Sequence, residues 1–267
     1  MKVLKATGLN KHFDGVVAAE AVSVEVAAGE RVGLIGSNGA GKTTFVNMIT
    51  GYLKPDAGTI ELDGADVAGL GPREIMRLGV ARSFQVPQLC AEMTVLDNVI
   101  VAAACASEAL SFWRPAQTDG ARARALQLLE RFALAGHAER RVAELPGGVR
   151  KLLDIAMSLT RRPRLLLLDE PTSGVSVDEK FPMMDTVMAG IEGETAGETA
   201  GETAGEAAGE AAGAGTAVLF VEHDMEIVSR YASRVVAFYS GRILADGAPA
   251  TVLADADVRR HVTGGLK

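Results

Sequence analysis

The run GSNGAGKTT at 36–44 sets Gly36, Gly41, Lys42 and Thr43 in the pattern G-x-x-x-x-G-K-[ST]. The residue types fit one chemistry, the gripping of a phosphate chain. Glycines let successive backbone N–H groups curl round a β-phosphate, and a helix N-terminus adds positive potential. A lysine at position 42 reaches β- and γ-phosphate oxygens, and the Thr43 hydroxyl suits Mg²⁺. Ser37, Asn38, Gly39, Ala40, Gly41, Lys42, Thr43 and Thr44 are therefore the expected nucleotide contacts.

Other stretches supply groups that would act on such a phosphate. RLLLLDE at 164–170 is a continuous apolar run ending in two acids. Asp169 stands where a Mg²⁺ contact belongs, and Glu170 adds a carboxylate placed to polarise an attacking water. VLFVEHD at 218–224 ends another apolar run on His223, a candidate γ-phosphate contact. Gln85 in RSFQVPQ carries an amide that can touch metal or water; alone it reads as a surface glutamine. LPGGVRK at 145–151 reads alone as a turn.

These residues need scaffolding, and the surrounding pattern predicts it. RVGLI at 31–35 reads as a buried strand leading into the glycines, and KTTFVNMIT at 42–50 as the helix that follows. GTIELDG at 58–64 reads as a short strand between turns. RLLLLDE and TAVLFVEHD fit strands covered on both faces, as in a parallel sheet. SRVVAFYSGRILADG at 233–247 reads as two strands joined at Ser240–Gly241. The stretch 89–157 is rich in Ala, Leu and Arg, and ARARALQLLERFAL at 121–134 has helical spacing. The expected fold is α/β with a mostly parallel core and a helical insertion.

Composition sets outer bounds. The 267 residues suffice for a full core, as one large domain or a core with a subdomain. No apolar run approaches the ~20 residues of a membrane-spanning helix, and MKVLKATGLN lacks the form of a signal peptide. Cys90 and Cys105 have no metal-ligand spacing, so ordinary packed thiols in a reducing compartment fit. The net charge of −7 includes six glutamates at 192–210; removing their charge leaves −1. A nearly neutral remainder argues neither for nor against nucleic acid.

Taken in order, these motifs resemble the nucleotide-binding subunit of ABC transporters over nearly the whole chain. GSNGAGKTT matches Walker A, RLLLLDE matches Walker B, Gln85 the Q-loop, SGVS at 173–176 the D-loop, and His223 the switch histidine. Phe13 matches the aromatic that stacks on adenine. LPGGVRK falls where the family carries Leu-Ser-Gly-Gly-Gln: Leu145, Gly147 and Gly148 match, while Pro146 and Val149 replace the serine and the glutamine. Proline cannot donate the serine's hydroxyl bond, so either the Gly147 and Gly148 N–H groups suffice or the altered signature limits hydrolysis. GVARSFQVPQLCAEMTVLDNV and FVEHDMEIVSRYASRVVAFYSGRILADGAP are similar to the branched-chain amino acid importer type.

The resemblance implies one ABC nucleotide-binding domain with a P-loop NTPase, RecA-like core at 1–88 and 158–267. An antiparallel β subdomain stands beside it, with a helical subdomain at 89–157 and a low-complexity insert at 192–215. It implies Mg²⁺-dependent ATP hydrolysis with Glu170 and His223 catalytic. Thr43, Gln85 and Asp169 would contact Mg²⁺, and Leu145, Pro146, Gly147 and Gly148 the partner's ATP. The implied partners are a second nucleotide-binding subunit, identical or related, and membrane permease subunits. An extracytoplasmic or periplasmic binding protein is an indirect partner, and nucleic acid is not implied. The implied location is the cytoplasmic face of the membrane. The alternative is a soluble ABC-class ATPase uncoupled from transport, but such proteins resemble tandem domains or carry long coiled coils, and this chain has no heptad run.

The insert GETAGETAGETAGEAAGEAAGAG at 193–215 repeats every four residues. On a helix that period would stack like charges, and each glycine costs ~1 kcal/mol relative to alanine. It reads as flexible and solvated, an expansion of a short connection. Doubling a loop's length adds only ~0.6 kcal/mol of closure entropy. Deleting 197–213 is expected to leave melting temperature and ATPase rate unchanged in a side-by-side assay; lost activity in the isolated chain would show instead that the segment packs on the core.

Overall fold

The computed structural model describes residues 1–106, 118–196 and 215–264. Its strands are β1 (Lys2–Phe13), β2 (Val16–Ala27), β3 (Arg31–Gly36), β4 (Ala57–Leu62), β5 (Ala65–Asp66), β6 (Val80–Ser83), β7 (Leu165–Asp169), β8 (Ala217–Val221), β9 (Arg234–Tyr239) and β10 (Arg242–Gly247). Its α-helices are α1 (Lys42–Ile49), α2 (Pro72–Arg77), α3 (Val95–Ala106), α4 (Asp119–Arg131), α5 (Gly147–Ser158), α6 (Val177–Ala196), α7 (Met225–Tyr231), α8 (Pro249–Ala254) and α9 (Ala256–His261). The chain forms two compact units. One comprises Met1–Ala81, Arg164–Glu170 and Thr216–Lys267; the other comprises Arg82–Pro163 and Pro171–Gly215. This division is distinct from the helical stretch 89–157 read from composition, because it takes in α6.

The larger sheet has the order β10-β9-β3-β8-β7-β6. Within it β3 pairs in parallel with both β8 and β9, and β7 pairs in parallel with β8. Every residue of β8 is buried, as are the first four of β7, which is why these runs are apolar without alternation. The second sheet, β2-β1-β4-β5, is antiparallel throughout. A core of Leu4, Val24, Leu34, Phe45, Ile49, Leu165, Leu219 and Phe238, among others, joins the two sheets and α1. Arg234 reinforces this on the rim. Its Nε and Nη2 each donate to one Asp246 oxygen at 2.6 Å, while Nη1 donates to the Glu25 carbonyl at 2.8 Å. The Asp246 bonds hold the guanidinium charged far above its ordinary range.

The long β1–β2 hairpin was not legible from apolar runs. Its signals are the Asp14–Gly15 turn, with φ of 41° and 85°, and the alternation of buried Val22, Val24 and Val26. The insert also departs from expectation at its start. Residues 193–196 continue α6 as helix rather than loop. Extending a helix that is already formed fixes one residue per added bond, so even glycine is carried along. The remainder, 197–214, lies outside the described residues. Cys90 and Cys105, expected to be packed, are instead both exposed free thiols.

In the second unit α4 opens on Thr118, whose hydroxyl accepts the Ala121 N–H at 3.1 Å. Gly190 of α6 meets the fully buried Phe132 ring; a Cβ there would stand 2.6 Å from a ring atom. A glycine within a helix is unfavourable by itself, so this one is explained by the close approach it allows. Gly190→Ala is expected to destabilise the protein by ~1–3 kcal/mol through overpacking, read as a lower midpoint in urea.

Candidate functional site

Parallel register brings the chemistry together. Gly36 ends β3 opposite Phe238, Leu34 pairs with Val221, and Asp169 pairs with Val221 from the other side. The loops after β3, β7 and β8 therefore leave neighbouring strands at their carboxyl ends, where open α/β sheets bind ligands. Two cross-strand bonds carry this register beyond the strands. Glu170 N–H donates to the Val221 carbonyl at 3.0 Å, and Glu222 N–H to the Leu34 carbonyl at 3.2 Å.

The loop after β3 can be made only with glycine at its two ends. Gly36 has φ 156°, and a Cβ there would lie 2.6 Å from the Phe238 carbonyl. Gly41 has φ 106°, and a Cβ would lie 2.6 Å from the Ala18 carbonyl. Gly41 is the N-cap of α1, and no side chain caps that helix. Its first N–H groups are left for an anion. Lys42 is buried, and its Nζ donates to the Gly36 carbonyl at 2.7 Å and the Ser37 carbonyl at 3.1 Å. Burial lowers its pKa, while the nearby carboxylates of Glu170 and Asp169 oppose that shift. Thr43 is exposed in the first turn, and Ser37, Asn38 and Gly39 are exposed along the loop. Ala40 is buried, and Thr44 is half-buried beside Lys42.

The two acids after β7 have different surroundings. Asp169 closes the strand, half-buried. Glu170 takes a left-handed backbone, φ 47°, which is uncommon for a residue with a side chain. Its Oε1 lies 3.1 Å from His223 Nε2. A carboxylate only accepts, so the histidine donates in this contact. The loop bearing His223 is anchored on both sides: Glu222 Oε2 accepts the His223 N–H at 3.1 Å, and Asp224 caps α7 by accepting the Glu226 N–H at 3.1 Å. Sequence reasoning did not single out Asp224 or the backbone of Glu170. Asp224 has a legible signal, an acid just before a helix; the φ of Glu170 has none.

Phe13 is 45% exposed at the end of β1, next to the exposed Val16 and Val17. Lys11 Nζ lies 5.6 Å from its ring centroid. This hairpin meets the phosphate loop through Ala18, whose carbonyl is what Gly41 accommodates. The Gly241 N–H also donates to the Ala40 carbonyl at 2.9 Å, and the Glu20 N–H to the Gly241 carbonyl at 2.8 Å. An exposed aromatic and two exposed valines thus stand on the hairpin that meets the phosphate loop.

For Mg²⁺ the donors are of the right kind. A hydroxyl and a carboxylate are hard oxygen ligands, and Mg²⁺ sites of this type take further oxygens from substrate phosphates and water. Among the described residues no group of three or more His, Cys, Asp or Glu could hold a metal by itself.

Gln85 and the 145–148 turn belong to the second unit. Pro146 is the N-cap of α5, with φ −57° and no side-chain cap, so Gly147 and Gly148 supply the first amides of a twelve-residue helix. Leu145 is buried. Arg150 fastens the turn from behind: its Nε donates to the Leu145 carbonyl at 2.9 Å and its Nη2 to the Ala143 carbonyl at 2.8 Å. A Cβ on Gly148 would stand 3.9 Å from Val175 of the SGVS run.

Comparison with known proteins agrees with this geometry. The family described as ABC transporter matches residues 19–173. The high-affinity branched-chain amino acid transport ATP-binding protein LivG of Salmonella typhimurium is 34% identical, over 98% of each chain. Its counterpart BraF of Pseudomonas aeruginosa is 33% identical, also over 98% of each. The crystal structure of the ADP conformation of an ATP-binding cassette of an ABC transporter has a TM-score of 0.81 at 29% identity, covering 97% of this chain and 98% of that one. Family match, near-complete relatives and shared fold coincide with a phosphate loop, a paired Asp–Glu and a facing histidine; the chain belongs to the ABC transporter family, as an ATP-binding cassette that hydrolyses ATP.

Proposed function

We propose that this cassette powers an importer of branched-chain or related amino acids from the cytoplasmic face of a membrane. Two such subunits, identical or related, would close on two ATP molecules. The observation that carries the catalytic part is the Glu170–His223 contact at 3.1 Å, beside Lys42 at the carboxyl ends of β3, β7 and β8. The relatives' role in branched-chain amino acid transport supports the substrate class. Among the described residues no helix is long and apolar enough to cross a membrane.

The residues divide the work. Lys42 and the loop amides from Ser37 to Thr44 hold the phosphates, and Phe13 stacks on adenine. Thr43 and Asp169, with the Gln85 amide, would hold Mg²⁺, which offsets charge on the β- and γ-phosphates. Glu170 accepts a proton from the attacking water as its oxygen bonds to the γ-phosphorus; the bond to the β,γ-bridging oxygen breaks and ADP leaves. His223 fixes the Glu170 carboxylate and faces the γ-phosphate. Leu145, Pro146, Gly147 and Gly148 meet the ATP of the opposite subunit, the amides serving in place of the missing serine hydroxyl. The closing motion passes to the permease, and the binding protein outside selects the amino acid.

Glu170→Gln is expected to keep ATP binding, accumulate dimer and lower turnover by ~10²-fold or more. Lys42→Ala is expected to weaken ATP binding instead. Equal turnover in Glu170→Gln and parent would remove Glu170 from its role. Pro146→Ser is expected to change turnover only modestly, since the amides already bind. A large gain would show that the native signature limits hydrolysis. With permease subunits in vesicles, turnover should rise with a leucine-loaded binding protein and not with an empty one; no rise for any branched-chain amino acid would refute the substrate class.

A further inference from the structure

Lys151 is 3% exposed, an unusual place for an ammonium. It lies in the second turn of α5, four residues past Gly147. Its Nζ donates to two successive carbonyls, Phe84 at 2.7 Å and Gln85 at 3.1 Å. Three residues further along, on the same side of the helix, Asp154 is 7% exposed and accepts the Gln88 N–H on Oδ1 at 3.1 Å. All of these residues belong to the same compact unit. The segment 84–88 is thus pinned at both ends, while Val86 between the pins is 69% exposed.

We infer that Lys151 and Asp154 form a clip that locks the Gln85 segment to the signature helix. The clip makes them positioning residues: a shift of the segment is passed to the helix that begins with the Gly147 and Gly148 amides. This rests on the roles proposed above for Gln85 and those amides. Three observations favour a clip over ordinary packing. An apolar side chain would fill the Lys151 site without the cost of a buried charge. Charge-assisted bonds from one ammonium to two carbonyls hold a backbone segment that lies outside any strand or helix. Asp154 is also kept despite its cost: burial raises its pKa, while the Gln88 N–H, the Ser83 hydroxyl, Lys151 and the Phe84 N–H oppose the shift. The neighbouring Arg150 grips the turn at Ala143 and Leu145, so adjacent residues of one helix hold the signature on one side and the Gln85 segment on the other.

The test compares the full chain with its Lys151→Met, Lys151→Arg, Asp154→Ala and Gln85→Ala variants. Amide hydrogen exchange across 84–88 and in β3 is measured beside kcat and KM for ATP at saturating Mg²⁺. Lys151→Met should raise exchange across 84–88 by about ten-fold, leave β3 unchanged, lower kcat about ten-fold and keep KM within about two-fold. Lys151→Arg should recover both readouts, and Asp154→Ala should free the Gln88 amide in particular. Parental exchange at 84–88 in Lys151→Met, or faster exchange there at parental kcat, would overturn the inference. So would a rise shared with β3 and a matching fall in melting temperature, which marks a purely structural lysine. If Lys151→Met does not fold, Asp154→Ala decides by the Gln88 amide alone. Parental kcat in Gln85→Ala would sink the role of Gln85, whereas the exchange data would still decide whether the clip exists.

Discussion

Parallel sheets occur almost only where both faces are covered, and β3, β7 and β8 meet that condition with almost every residue buried. Their register sets the level at which each chain leaves the sheet. Gly36, Asp169 and Val221 emerge side by side, and the bonds from Glu170 and Glu222 back to neighbouring strands extend the alignment into the loops. Slipping one strand by a residue would turn its side chains to the other face and move the phosphate loop, the acids or the histidine away from the others.

The phosphate loop is preorganised by contacts within the chain. Lys42 is buried and bonded to two loop carbonyls, so its ammonium is already desolvated and oriented. Burial works against its charge, and the carboxylates of Asp169 and Glu170 compensate. A phosphate chain would bring further negative charge to the same place. The left-handed Glu170 fits this picture of stored constraint. Its backbone is bonded to Val221 and its carboxylate to His223, so it is held from both ends in a conformation that free chains avoid.

The signature turn offers backbone amides where the family's serine hydroxyl is absent. Pro146 has no hydroxyl, but proline is well suited to a helix start, where its missing N–H costs nothing. The amides of Gly147 and Gly148 then head α5, while Arg150 does the fastening from within the same chain. Lys151 and Asp154 extend that helix's role to the segment around Gln85.

The sequence by itself determined the phosphate loop, the Asp169–Glu170 pair, His223 and the alternation of buried strands with helices. These were legible because each is local: fixed glycine spacing, an apolar run ending in acids, a strand followed by a loop. Asp14–Gly15 and the valines of β2 were equally local signals, though alternation over a long hairpin is easily lost beside stronger runs. What only the tertiary structure decided depends on residues far apart in the chain. No local pattern tells that Gly41 must clear the Ala18 carbonyl, that Glu170 turns left-handed to bond Val221, or that a lysine and an aspartate inside an amphipathic helix hold a loop more than sixty residues upstream. Such contacts are set by strand register and helix packing, which bring distant segments within a few ångströms and so decide which charges are buried and what they bond.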